Sequence, residues 1–196
     1  MPAMPDHPMP RRRALLMLPL ALAAVGLSGC GTPADAPAMR LSLAESLQLR
    51  SWVPPGLRAQ VQLMPVSGGQ PTGRFWGAKI SNASLQEALE ESLRDTGLHA
   101  PRPAEARYEL RVTLMQLDQP MVAVLDAKVA VTLSYTLMES RTGRTIYERK
   151  LRTQHTAEFG SAILDPNERM RMASEGAIRS NLNTLLRELL ELKWPE

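Results

Sequence analysis

The chain contains a single cysteine, Cys30. No disulfide can form within it and no cysteine cluster can hold a metal. Its fold must therefore rest on buried apolar surface and hydrogen bonds alone. The place of that cysteine is as informative as its solitude. Arg11, Arg12 and Arg13 form a positive stretch. An apolar run follows from Ala14 to Leu27, mildly broken by Pro19, and the small residues Ser28 and Gly29 precede Cys30. That order is the layout of a bacterial export signal. Residues 1–29 are expected to be removed and the rest to fold outside the cytoplasm. An uncleaved membrane anchor fits less well, because a spanning helix needs roughly 18 to 20 apolar residues.

The four residues Leu27-Ser28-Gly29-Cys30 resemble a lipobox, the recognition site of lipoprotein signal peptidase. The resemblance implies that the Cys30 thiol is diacylated, the preceding peptide bond is cut, and the new amino group is acylated. Three acyl chains exceed the two signals that stable anchoring requires. Gly31, not Asp, follows the cysteine. In a Gram-negative host the sorting rule that accompanies the resemblance then implies the outer membrane, with the domain facing the periplasm. The competing reading is a soluble secreted protein with a chance cysteine.

Charge narrows the partners. The whole chain carries 23 Lys and Arg against 20 Asp and Glu. Removing the signal takes three arginines and Asp6, so the mature chain is nearly neutral. Nucleic-acid binding needs a clustered basic face, and none is visible, so no nucleic-acid partner is expected.

Along the chain, residues 30–55 read as the lipidated cysteine and a Pro-rich tether, with a short helix over 41–49 capped by Ser42. Residues 56–196 read as one α+β domain. Leu57, Ala59, Val61 and Leu63 alternate with polar residues, which predicts a strand over 57–66. A Gly-rich loop carries Phe75 and Trp76. Ser81 to Ser84 offers N-caps for a helix, and Ser84 with Glu87 matches a capping box. Leu85, Ala88, Leu89, Ser92 and Leu93 fall at helical spacing, and Gly97 provides the stop.

Tyr108 to Leu114, Val129 to Leu137 and Arg144 to His155 alternate as three further strands, with a turn at Thr142-Gly143 between the last two. The last strand is polar on one face, as edge strands often are. Asp165-Pro166-Asn167-Glu168 then opens the strongest helix, with Asp as cap and Pro at the first helical position. Its apolar stripe runs from Ala173 to Leu192. The small residues Ala173, Gly176 and Ala177 allow a close approach to the sheet. The order predicts a two-layer α+β sandwich: a mostly antiparallel sheet of about four strands, with one medium helix and the long C-terminal helix on one face.

Catalytic constellations are scarce. His99 and His155 lie on different elements without ligand spacing. Ser67-Gly68-Gly69-Gln70 lacks the Lys of a phosphate loop, and no Gly-x-Ser-x-Gly elbow exists. Neighbours Glu90 and Glu91 read as a solvated face. Asp118 and Asp126 flank a loop and read as turn formers; an acid–base pair is their functional alternative. No cofactor and no metal are expected. The segments suited to partner contact are Phe75 and Trp76, since aromatics anchor interfaces, and the apolar run Met121, Val122, Val124 and Leu125. Core packing is the plainer account of the apolar run, and a Trp that plugs the end of the sheet is an equal alternative for Phe75 and Trp76. Arg169, Arg171 and Arg179 read as the solvated side of the last helix.

Four patterns in order resemble a family of small, largely uncharacterised proteobacterial lipoproteins. They are Trp76 to Asn82 followed by Ala88 to Leu93, Leu117 to Pro120, Tyr135 to Leu137 with Thr142-Gly143, and Arg169 to Asn181. The resemblance spans about residues 75–192 and brings no catalytic residues. In layout the chain also resembles the lipopolysaccharide-assembly lipoprotein and the auxiliary lipoproteins of lipid-transporting ABC systems. These resemblances imply a non-enzymatic accessory subunit of outer-membrane assembly or lipid transport. It would be held to the membrane by its N-terminal acyl chains and bound to an envelope protein. A carrier of lipid or another hydrophobic ligand is the alternative, and needs a cavity under the long helix. An enzyme needs a pocket that gathers Asp118, Asp126 and His155.

Overall fold

Alternating apolar side chains build the sheet. Residues 33–69, 80–120 and 125–194 are described by the computed structural model. The strands are β1 (Val61–Leu63), β2 (Tyr108–Asp118), β3 (Ala127–Glu139) and β4 (Thr145–Ala157), in the spatial order β1-β2-β3-β4. β1 runs parallel to β2, and β2, β3 and β4 are antiparallel neighbours. On one face lie Tyr108, Leu110, Val112 and Leu114 beside Val129, Val131, Leu133, Tyr135 and Leu137, all buried. The opposite face carries Thr132, Ser134 and Thr136 with Lys150 and Arg152 and is open. Period-two alternation thus leaves only one face to cover.

Among the described residues four helices accompany the sheet: α1 (Ala36–Met39), α2 (Leu43–Arg50), α3 (Asn82–Asp95) and α4 (Pro166–Glu191). α4 packs on β3 and β4, burying Ala173, Ala177, Ile178, Leu182, Leu185 and Leu189. At 1.5 Å per residue it is about 39 Å long. α3 turns Leu85, Ala88, Leu89 and Leu93 into the same core and ends before Gly97, whose φ of 78° suits glycine. This is the expected α+β sandwich with an open four-stranded sheet.

Close packing at the sheet edge depends on Gly176. A Cβ there would lie 2.2 Å from Cδ2 of His155. The small patch expected to admit the sheet therefore admits a histidine ring. Deeper in the interface Tyr135 donates to Asn181 Oδ1 at 2.7 Å. The Asn181 amide donates to Leu151 O and Thr153 Oγ1, each at 3.0 Å, and Thr153 donates to Ala177 O at 2.8 Å. The network ties α4 to the sheet with directional bonds where a purely apolar seam could slide.

Several local expectations need correction. The first strand covers only Val61–Leu63, because a turn of 3-10 helix occupies Pro55–Leu57 and Ala59 has a φ of 55°. The Ser42 helix does form, with a complete capping box to Glu45. α3, however, is capped by Ser81, whose side chain accepts from Ser84 N–H, so Ser84 and Glu87 make no box. Asp165 caps α4 by accepting from the N–H groups of Asn167 and Glu168, while the Glu168 side chain turns to Arg171.

The largest correction concerns the tether. Ala34, Ala36, Met39, Leu41, Leu49 and Val53 all belong to the core. Small and Pro-rich composition reads as a spacer, but here the small side chains let the segment lie close against two helices. Residues 34–53 therefore pack with the core rather than hanging outside it.

Candidate functional site

The N-terminal segment is held by a polar stripe on α4. Residues four apart lie on one helix face, and Glu175, Arg179, Asn183 and Arg187 follow that spacing. Glu175 Oε1 accepts from the Asp35 N–H at 2.8 Å. Arg179 donates to Ala38 O and, at 3.1 Å, to Arg40 O. Asn183 donates to Glu45 Oε1 at 3.1 Å, and the Arg187 guanidinium lies 5.8 Å from the centre of the Trp52 ring. The segment thus runs alongside α4 in the same direction, from Asp35 near Glu175 to Trp52 near Arg187. α3 holds its other side, through Ser92 Oγ accepting from the Leu41 N–H and through an Arg40–Glu91 ion pair at 2.9 Å.

Glu175 is the hinge of this arrangement. Its side chain is buried, and burial is the main cause that raises its carboxyl above the ordinary range. The bonds from Asp35 and Arg171 pull the other way. Arg171 bridges Glu168 and Glu175, which holds its guanidinium in the charged form. Charge-assisted bonds of this kind are stronger than neutral ones.

The described segment meets the domain at one end, where Asp35 lies by Glu175. That end is made by the start of α4, the β2–β3 loop and the β4–α4 loop. Arg169, 1% exposed, donates to the carbonyls of Ala162 and Ile163 and lies 5.1 Å from the Phe159 ring centre. Asp126 Oδ1 accepts from the Phe159 N–H at 2.9 Å, which ties the two loops together. Gln119 donates to Ser174 Oγ at 2.9 Å. Among the described residues, this end exposes Leu125 (67%), Phe159 (40%), Ile163 (57%) and Leu164 (96%).

Of the residues expected to contact a partner, Leu125 is exposed in this end. Cys30, Phe75, Trp76, Met121, Val122 and Val124 lie outside the described residues. Arg169, Arg171 and Arg179 of α4 correct their sequence reading. They grip loop carbonyls, carboxylates and the N-terminal segment, and none is simply a solvated charge. Their signal was present as arginines recurring on a helix that also carries Glu168 and Glu175. What that stripe would grip could not be read from spacing.

Asp118, Asp126 and His155 serve separate purposes. Asp118 pairs with Arg152 at 2.9 Å, Asp126 holds the Phe159 N–H, and His155 packs on Gly176. His99 lines an open groove of 590 Å³ with Arg50, Arg58, Thr96 and Pro101, at the far end of the domain. Among the described residues no group of three His, Cys, Asp or Glu side chains is placed to hold a metal. No described helix is long and apolar enough to cross a membrane.

No family model matches the chain, and no curated protein matches it. A solved structure shares its fold. A Xanthomonas campestris protein of family DUF330 superposes with a TM-score of 0.54 at 14% identity, over 81% of this chain and 93% of that one. A minor lipoprotein from Acinetobacter baumannii gives a TM-score of 0.45 at 16% identity, over 71% of this chain and 96% of that one.

Proposed function

We propose that this chain is a lipid-anchored envelope lipoprotein, acylated at Cys30 and held at the outer membrane facing the periplasm. There it acts as a non-enzymatic accessory subunit in outer-membrane assembly or lipid transport. The observation that carries the reading is how near a core residue comes to the cysteine along the chain. Ala34 is already core, and only Gly31, Thr32 and Pro33 separate it from the cysteine. Cutting before Cys30 removes none of the core residues just described. Four residue steps span at most about 14 Å, so the anchor holds the domain beside the bilayer rather than on a long leash.

The shared fold with the Xanthomonas protein is compatible with this reading, and the lipoprotein name of the Acinetobacter neighbour agrees with it without carrying it. The carrier alternative has less support. The interface between α4 and the sheet is filled by Ala173, Ala177, Ile178, Leu182, Leu185 and Leu189, each fully buried, so the required cavity is taken up by side chains.

The test is affinity capture from crosslinked envelopes, comparing the native chain with Cys30→Ala. A stoichiometric membrane protein captured only with the native chain supports the accessory role. Lipid recovered without a protein partner favours the carrier.

A further inference from the structure

Among the described residues, large apolar side chains stand exposed in two groups: Leu43, Leu47 and Trp52 on and after α2, and Leu125, Phe159, Ile163 and Leu164 near the start of α4, with Met115 alone on β2. Leu125 sits in the β2–β3 loop, and Phe159, Ile163 and Leu164 sit in the β4–α4 loop. The two loops are joined by the bond from Phe159 N–H to Asp126, and the second is wrapped on Arg169. Asp126 and the β4–α4 loop are thus held in place while the large side chains beside them stay in water. Chains rarely hold a Leu at 96% exposure beside an Ile and a Phe in an ordered loop without a use for the patch.

The chain upstream of the domain says what covers it. The N-terminal segment reaches α4 at Glu175 and runs from there toward the C-terminal end of the helix. Followed backward, the described segment runs toward the start of α4, where the apolar patch lies. Cys30 is then within four residue steps of Ala34, about 14 Å at most.

We propose that Leu125, Phe159, Ile163 and Leu164 form a second membrane contact that seats this end of the domain in the interfacial layer of a zwitterionic phospholipid bilayer. The proposal rests on acylation of Cys30. The lipid already suffices for anchoring; what the patch adds is orientation. The charges choose the lipid. Asp126, Glu158 and Asp165 lie among the apolar residues. Two of these carboxylates serve backbone N–H groups, and such an end gains nothing from an anionic surface. Seated this way, α4 stands up from the membrane. The far end, where Trp52 meets Arg187, is carried about 27 Å outward along the helix from Arg169.

The test uses the full acylated chain in phosphatidylethanolamine/phosphatidylcholine vesicles. A single environment-sensitive fluorophore is attached through Leu164→Cys or, at the far end, Leu47→Cys. Nitroxide-labelled phospholipids serve as quenchers, and the mass of the N-terminal peptide is read on the same sample. Strong quenching at 164, at least threefold above that at 47, supports the proposal. Equal, water-like signals on an acylated chain overturn it and leave the lipoprotein reading standing. A probe at 164 shielded from water but not quenched by lipid overturns it in favour of a protein occupant, a second copy included. An unmodified Cys30 overturns both readings. Ile163→Asp with Leu164→Asp, checked for an unchanged melting temperature, should abolish the preferred orientation while membrane retention persists.

Discussion

The backbone N–H of Asp35 donates to Glu175 Oε1 at 2.8 Å, joining the first turn of the packed domain to a side chain 140 residues later. This bond makes the N-terminal segment part of the domain. Glu175→Ala leaves the Asp35 N–H and one side of Arg171 without their carboxylate, and should cost about 2–3 kcal/mol. Glu175→Gln keeps an acceptor for the N–H and should cost less than half as much. Thermal melts of both variants check the order. Equal losses would mean that the backbone bond contributes little.

Gly176 and His155 should show coupling. Alanine is favoured over glycine in a helix interior by about 0.8–1.0 kcal/mol. In the native background the His155 ring occupies the space of the new Cβ, so Gly176→Ala should gain nothing. With His155→Ala the same change should stabilise the domain by about 1 kcal/mol. A double-mutant cycle by chemical denaturation measures the difference.

The Tyr135–Asn181–Thr153 network should be sensitive to single deletions. Tyr135→Phe leaves Asn181 Oδ1 buried without its donor, a loss of about 1–3 kcal/mol. Asn181→Ala breaks three bonds and opens space, and should cost more. Because burial holds the Tyr135 hydroxyl neutral well above its ordinary range, its ultraviolet titration should be absent until the domain unfolds.

Acid should weaken the fold through carboxylates bound in charged form. The Arg171 bond is the main cause that holds Glu168 below its ordinary value. A depressed folded value contributes stability above the unfolded value, near 4.5, and that contribution is lost as pH falls through the folded value. Glu175 is raised and acts in the opposite sense, with its contribution falling as pH rises from the unfolded value through the folded one. Glu168→Gln should therefore flatten the fall in melting temperature below the ordinary carboxylate range. An unchanged acid limb would assign the loss to other groups.

Much of the fold could be read from the sequence, because strand alternation and helix spacing report burial directly. β2, β3 and the stripe of α4 follow from their apolar periods, and Asp165 and Ser42 cap helices as their positions suggest. β1 misled because alternation continues through residues 57–59 while Pro55 and the left-handed Ala59 bend the backbone out of line. The segment from Ala34 to Arg40 misled for a related reason. Alanine and proline suit a loose tether and a tight helix contact equally well, and only the partner side chains of α4 distinguish them. The apolar end was half visible through Leu125. Ile163 and Leu164 carry no periodic signal, and their exposure depends on how Arg169 holds the loop.

The account depends most on one covalent fact, the state of Cys30. Mass spectrometry of the N-terminal peptide from membrane-extracted protein measures it directly. The account predicts a chain that begins at Cys30 and carries thioether-linked diacylglycerol with an acylated amino group. A mature chain with a free Cys30 thiol, or one that begins elsewhere, would contradict it.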